Sequence, residues 1–307
     1  MKKGITIFTI CLLFVFLLSF PKEALAGARE GLGLWLDTLL PTLLPFLILT
    51  GLLLHTDGIT KIVQPITPFF KVFTGLSGEG AYVFLLGLLC GYPMGAKLTS
   101  DLYYAGKISR QEAEYLLTFC SNPSPAFLAT YVGQICLEGK VPAGFLAGLL
   151  LLSDMICMCL FRIVFSRKKS TPVFAACKRE INAEASPAAI LDFVIMNSFE
   201  TMAKLGGYIL MFSVISACIS HFWCLPPEGK YIFLGFIEVT TGVHSLVFSG
   251  FAFRQRAILA LCMSAFGGLC IMMQTKSVLG KDLSLRPYAF AKCINTAITA
   301  VLAMLLL

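Results

Sequence analysis

The feature that most constrains this chain is a series of uncharged apolar stretches whose continuity fails at particular places. Stretches free of Asp, Glu, Lys and Arg run over 5–20, 38–54, 81–96, 115–137, 141–153, 205–227, 257–275 and 293–307. Several approach the ~20 residues that a helix needs to cross a ~30 Å hydrocarbon layer. Others are short, or are interrupted by Gly and Pro. A closed barrel would instead show segments of alternating polarity, so the expected fold is all-α, a polytopic bundle of transmembrane helices. Its surroundings are then the lipid bilayer.

Composition agrees: 57% of the 307 residues are hydrophobic and 13% charged, against about a quarter charged in an average soluble domain. The twelve cysteines form no CxxC pair and lie mostly in apolar runs, where Cys serves as a small packing residue. No metal site or cofactor is expected. The net charge of +7 resembles that of a nucleic-acid binder, but its densest group (Arg162, Arg167, Lys168, Lys169, Lys178, Arg179) falls in one connection between apolar halves. The positive-inside rule makes that segment, residues 165–187, a cytoplasmic loop and removes the argument for nucleic acid. Residues 1–26 allow two readings. Lys2 and Lys3, an apolar run and Ala24-Leu25-Ala26 imitate a secretory signal, yet the same residues suit a retained first transmembrane helix.

The loop divides the chain into a first half, 27–164, and a second, 188–307, which carry related punctuation. Gly87 and Gly235 each open a small or polar break 148 residues apart, Arg110 and Arg256 each begin a helix 146 apart, and Pro142 and Pro287 lie 145 apart. Two repeat-like halves with broken or re-entrant helices are therefore expected, as in many transporters. An amphipathic piece over 59–73 accounts for the larger offset of 163 between Asp37 and Glu200.

The breaks are where chemistry is expected. In Cys90-Gly91-Tyr92-Pro93-Met94-Gly95-Ala96-Lys97, Pro removes an amide donor and Gly loosens the backbone. Backbone groups freed at membrane depth must be buried in protein or line a wet cavity. Ser121-Asn122-Pro123-Ser124-Pro125 is either a tight turn outside the membrane or the unwound core of a discontinuous helix. Free amides at half-helix N-termini attract anions and free carbonyls attract cations. Lys97 adds a positive charge or snorkels to the interface. In the second half, Glu238, Thr240 and Thr241 accompany Gly242 and His244, and Gln274-Thr275 stands as the counterpart of the Asn-Pro break. Asp154 and Lys292 are further ionisable groups inside apolar runs, and such groups usually face a cavity or a partner. Asp37 and Glu200 are placed near the starts of their helices. The expected substrate-binding residues are thus Gly91, Tyr92, Pro93, Gly95, Lys97, Ser121, Asn122, Pro123, Ser124, Glu238, Thr240, Thr241, Gln274 and Thr275. No catalytic residues are expected, because HExxH, GxSxG, Walker A and GxGxxG are all absent,.

The order Leu34-Trp35-Leu36-Asp37, Pro41-Thr42-Leu43-Leu44-Pro45-Phe46, Gly91-Tyr92-Pro93-Met94-Gly95-Ala96-Lys97-Leu98-Thr99, Ile108 to Glu114 and Ser121 to Pro125 resembles the YlbJ/SpoVV family of sporulation integral membrane proteins. That family belongs to the nucleoside-recognition or "Gate" group, similar to concentrative nucleoside transporters. The resemblance is clear over 31–139 and loose beyond. It implies two Gate-like halves and a transporter in the outer forespore membrane that passes dipicolinic acid, a small planar dianion, with room for a coupling ion and for a homo-oligomer. The alternatives are a non-transporting scaffold for spore-envelope assembly, acting through the basic loop, and a nucleoside or metal-ion carrier.

Overall fold

The structure, a computed structural model, describes residues 2–55, 59, 63–65, 67–166 and 186–307. Every regular element among them is helical. Five helices are long and apolar enough to cross a bilayer: Pro21–His55, Ala143–Phe165, Pro187–Phe222, Phe253–Val278 and Arg286–Leu306,. Large apolar side chains such as Phe8, Leu18, Met196 and Leu305 point outward. An exposed apolar surface of this kind is stable against lipid tails, so the chain is an integral membrane protein.

The first helix is α1 (Lys2–Ser19), and α2 (Pro21–Gly33) begins on a Pro at its first position, where the missing amide costs nothing. A π-helical segment, Leu34–Leu39, carries α2 into α3 (Leu40–His55) without a stop. Asp37 therefore lies inside a long helix and not near its start, because the more polar residues 21–33 are helical too. Glu200 is likewise well inside its helix, where it pairs with Lys204 at 2.5 Å.

Next come α4 (Thr67–Phe73), α5 (Gly78–Cys90), α6 (Met94–Tyr104) and α7 (Arg110–Leu116). A helix α8 starts at Pro125–Phe127 and continues with π-helical winding over Leu128–Cys136. It is followed by α9 (Ala143–Ser166), α10 (Pro187–Phe222), α11 (Pro227–Ile237), α12 (Val239–Ser245), α13 (Phe253–Phe266), α14 (Gly268–Val278) and α15 (Arg286–Leu306). Serines set several starts: Ser77, Ser109, Ser124 and Ser186 each accept a hydrogen bond from the amide three residues on, which satisfies a donor that no helix can satisfy internally. Of the basic loop expected over 165–187, Arg167 to Ala185 lie outside the described residues. So do residues 60–62 and 66 of the amphipathic piece expected over 59–73.

Two helix pairs hold the frame. The long helix Pro21–His55 runs antiparallel to α10 along small residues. A methyl group added at Gly27 or Gly31 would meet Ser213 or Ala217, and one at Gly51 would meet Val194. Close backbone approach of this kind is how helices gain packing energy without a hydrophobic drive. Trp35 lies across Gly206 and donates its indole N–H to the Met202 carbonyl at 2.9 Å. The second pair is α9 with α15, also antiparallel, and it is joined through polar atoms. Ser153 Oγ donates to the Asn295 carbonyl at 3.1 Å and also contacts Asn295 Oδ1, Thr299 Oγ1 donates to Ser153 Oγ at 2.9 Å, and Asn295 Nδ2 donates to Asp154 at 2.7 Å.

Candidate functional site

In the first hairpin, α5 ends because Gly91 adopts a φ of 85°, a left-handed value that Gly takes without strain,. The chain turns through Tyr92 and Pro93, joined by a cis peptide bond, and returns as α6. Gly87 on the way in and Gly95 on the way out face the same group, the carbonyl of Cys120, so closely that neither position has room for a Cβ. A Cβ at Gly91 would lie 2.8 Å from the Ser124 amide nitrogen. The Ala96 amide donates to Ser121 Oγ at 3.1 Å, and Thr99 Oγ1 donates back to the Gly95 carbonyl at 2.8 Å. The two first-half breaks are thus one locked unit. Ser121, Asn122 and Pro123 are buried in it, so this segment is an unwound core between α7 and α8.

The second half forms a hairpin from α11 and α12. Glu238, extended at φ −145° and ψ 120°, separates them. Its buried carboxylate accepts from the Thr240 amide (3.1 Å), Thr240 Oγ1 (2.5 Å) and the Thr241 amide (2.7 Å). The N-terminus of α12 therefore already holds an anion, its own side chain. His244, on the same helix, turns to Glu30, 3.9 Å away. Between α13 and α14 the break is Gly267-Gly268, with φ of 82° and 78°. Gln274 and Thr275, expected as the interruption, sit inside α14 as ordinary helical residues. Polar side chains do not unwind a helix unaided, whereas two left-handed residues in succession do.

These elements enclose a central cavity of about 330 Å³. Of the expected residues, Gly91, Tyr92, Pro93, Ser124, Glu238, Thr240 and Gln274 line it. Gly95, Ser121, Asn122 and Pro123 lie behind that wall, as the packing of the first two breaks requires, and Thr241 lends its amide to Glu238. The hydroxyl of Tyr92 is buried with no hydrogen-bond partner among the described residues, while the buried hydroxyls of Thr275 and Tyr288 face each other. Sequence reasoning missed the opposite wall, including Thr38, Thr42 and Phe46 from Pro21–His55 and Leu205 from α10. It also missed Phe127 and Tyr131, which stack at 5.3 Å between ring centres. Thr38 and Thr42 are four apart on a helix, a visible signal for one shared face. Among the described lining residues Glu238 is the only Asp, Glu, Lys or Arg.

Lys97 stands elsewhere. It is buried, paired with Asp101 at 2.5 and 2.7 Å, and faces a second cavity of about 430 Å³ bounded by Tyr104, Glu200, Lys204 and the 277–282 segment. Tyr104 closes one end by donating to Asp282 at 3.1 Å and accepting from its amide. Between the two cavities is a constriction of about 10 Å³. It shares Leu43, Pro93 and Leu205 with the central cavity and Lys97, Thr201 and Val278 with the vestibule. A space of that size admits about one water at most.

With the Gly91–Ser124 contact in place, the comparison with known proteins is decided by the segment that carries it. Residues 36–137 match the Gate family, described as nucleoside recognition. The Gate region supplies Gly91 to Pro93 and Ser124 to the cavity, while Glu238, Thr240 and Gln274 come from beyond it. Across nearly the whole length, the chain is also similar to the sporulation integral membrane protein YlbJ of Bacillus subtilis (strain 168). The two are 27% identical over 321 residues, covering 94% of this chain and 79% of that protein. No solved structure matches.

Proposed function

We propose that this protein is a solute transporter of a sporulating cell's membrane, built from two Gate-like halves with the central cavity as its binding site. The observation that carries this reading is the convergence of two hairpin tips and an interrupted helix on one cavity. An anchor or scaffold has no use for such breaks, which cost helical hydrogen bonds. The halves correspond element by element. Hairpin α5–α6, broken helix α7–α8 and α9 match hairpin α11–α12, broken helix α13–α14 and α15. Each hairpin is seated by glycine against its broken helix. Gly87 and Gly95 receive the Cys120 carbonyl, and a Cβ on Gly268 would lie 3.2 Å from the carbonyl oxygens of both Gly235 and Ile237.

The cavity suits a small planar solute: aromatic side chains of Tyr92, Phe127 and Tyr131, an amide at Gln274 and hydroxyls at Thr38, Thr42 and Thr240,. The relative YlbJ is a sporulation integral membrane protein, and within that setting the solute proposed here is dipicolinate and the place the outer forespore membrane. Glu238 adds a condition. A bare dianion beside that carboxylate is repelled, so dipicolinate enters protonated or paired with a cation. Uptake of labelled dipicolinate and of a labelled nucleoside into proteoliposomes tests this. Saturable dipicolinate uptake, reduced about tenfold or more in Tyr92→Ala and Gln274→Ala, is expected. Nucleoside uptake alone would keep the transporter and replace its solute, and neither solute moving faster than in protein-free vesicles would overturn the reading.

A further inference from the structure

Lys292 lies on α15, in the interior and close to both broken helices, yet it does not line the central cavity. Its ammonium donates to Asn122 Oδ1 at 3.0 Å and to the Ala265 carbonyl at 3.1 Å. These acceptors are not equivalent to any two oxygens in the core. Ala265 is in the last turn of α13, and the left-handed pair Gly267-Gly268 prevents the next turn from supplying a donor to its carbonyl,. Asn122 belongs to the break between α7 and α8, and its amide Nδ2 donates to the Phe119 carbonyl at 2.7 Å, a second carbonyl exposed by helix interruption. One chain of hydrogen bonds thus runs from the carboxyl end of one broken helix, through Asn122 and Lys292, to the carboxyl end of the other. Helix carboxyl ends carry partial negative charge and favour a cation. Asp154 on α9 is held by Asn295 Nδ2 at 2.7 Å, and Asn295 follows Lys292 by three residues on the same face of α15,. The ring of Tyr288, 5.8 Å from Nζ at its centre, offers its face as well,.

Carbonyls at unwound helix ends and a side-chain amide oxygen are donors that suit a small monovalent cation. We propose that the Lys292 ammonium is a resident cation at this locus, a positioning residue that clamps the two broken helices together. Being covalently attached, it removes the need for a dissolved cation there. Shortening the side chain vacates a site of matching chemistry, bounded by Asn122 Oδ1 and the Ala265 carbonyl, which accepts a small N–H-bearing or alkali cation from solution.

The test uses the full-length protein in detergent and reads thermal unfolding, which does not depend on knowing the transported solute. Wild type is expected to unfold at the same temperature in sodium, potassium and choline chloride of equal ionic strength. Lys292→Ala is expected to fall by roughly 10 °C, because the two broken helices lose the donor they share,. It should regain half or more of that loss in millimolar methylammonium, by mass action. Tetramethylammonium, of the same charge but without N–H donors and too bulky for the site, should restore nothing. Lys292→Met, which fills the space without charge, should be lowered and refractory to every cation. A plain packing role for Lys292 predicts no difference between methylammonium and tetramethylammonium, and that result would overturn the proposal. If Lys292→Ala cannot be purified, the wild-type series decides: stability that requires sodium or potassium refutes a resident cation, and indifference to all three salts supports it.

Discussion

Replacing Gly95 by Ala introduces a single methyl group at the point where the first hairpin meets the first broken helix. The Cβ would occupy space now held by the Cys120 carbonyl, far inside the 3.4–4 Å of ordinary contact. The obstruction is backbone, which cannot swing aside as a side chain can. Either α6 retreats or the 117–124 segment does, and both motions stretch the Ala96 amide away from Ser121 Oγ. Overpacking of this kind costs about 1–3 kcal/mol, and a buried amide left without an acceptor costs about 1–3 kcal/mol more. Together these place Gly95→Ala roughly 2–6 kcal/mol below wild type. The internal control is Gly148→Ala on α9, where an added Cβ has no neighbour within 4 Å. There the same chemical change removes a flexible residue from a helix and should stabilise by up to about 1 kcal/mol. Unfolding midpoints in detergent should move in opposite directions for the two variants, and solute uptake should fall only in the first. Equal midpoints for Gly95→Ala and wild type, with uptake intact, would refute the close approach and the locked unit built on it.

Glu238→Ala should destabilise by about 1–3 kcal/mol, the worth of an N-cap and its buried donors, while Glu238→Gln, keeping one acceptor oxygen, should lose less. Equal losses, measured by thermal unfolding, would mean that the carboxylate does not cap α12. Trp35→Phe keeps the ring over Gly206 but frees the Met202 carbonyl, so a loss of about 1 kcal/mol is expected,. An unchanged midpoint would remove that bond from the α3–α10 contact. At the loop before α9, hydrogen bonds from Lys140 and then Arg256 hold the Glu138 carboxyl below its ordinary value. A depressed carboxylate stabilises fully above its unfolded value, and that stabilisation disappears as pH falls through the lowered folded value. Glu138→Gln should therefore flatten the acid limb of midpoint against pH, and an unaltered limb would count against the pairing.

What could be read from the sequence divides along a physical line. The first hairpin was legible because Gly91 and Pro93 act through their own backbone geometry, whatever surrounds them. The Asn-Pro break was legible as an interruption for the same reason, although nothing local distinguishes an external turn from a buried unwound core. Gln274-Thr275 misled because polarity inside an apolar run imitates a break. The break itself is at Gly267-Gly268, which the sequence also marks as the end of the helix that Arg256 begins. Lys97 was expected at the site, although Asp101 four residues later already offered it a partner on the same helical face. The second wall and the vestibule depend on contacts such as Tyr104 with Asp282, 178 residues apart. No window on the sequence spans that distance. The polar face of α15, with Lys292, Asn295 and Thr299 at helical spacing, was visible as a stripe. Its partners on α9 and in the break were not.

The constriction between the cavities is lined by Leu43, Leu47, Pro93, Met94, Leu205 and Val278, with Lys97 and Thr201 on the side of the second cavity. Voltage across a membrane drops where water is excluded, not evenly through the protein, so most of it falls across this collar if both cavities are wet. A polar substitution such as Leu205→Ser would then act electrically as well as sterically, converting insulation into a conducting leak. Glu238, in the first cavity, would sit at nearly the potential of its own aqueous compartment, while Lys97, in the lining of the collar, would sit within the drop.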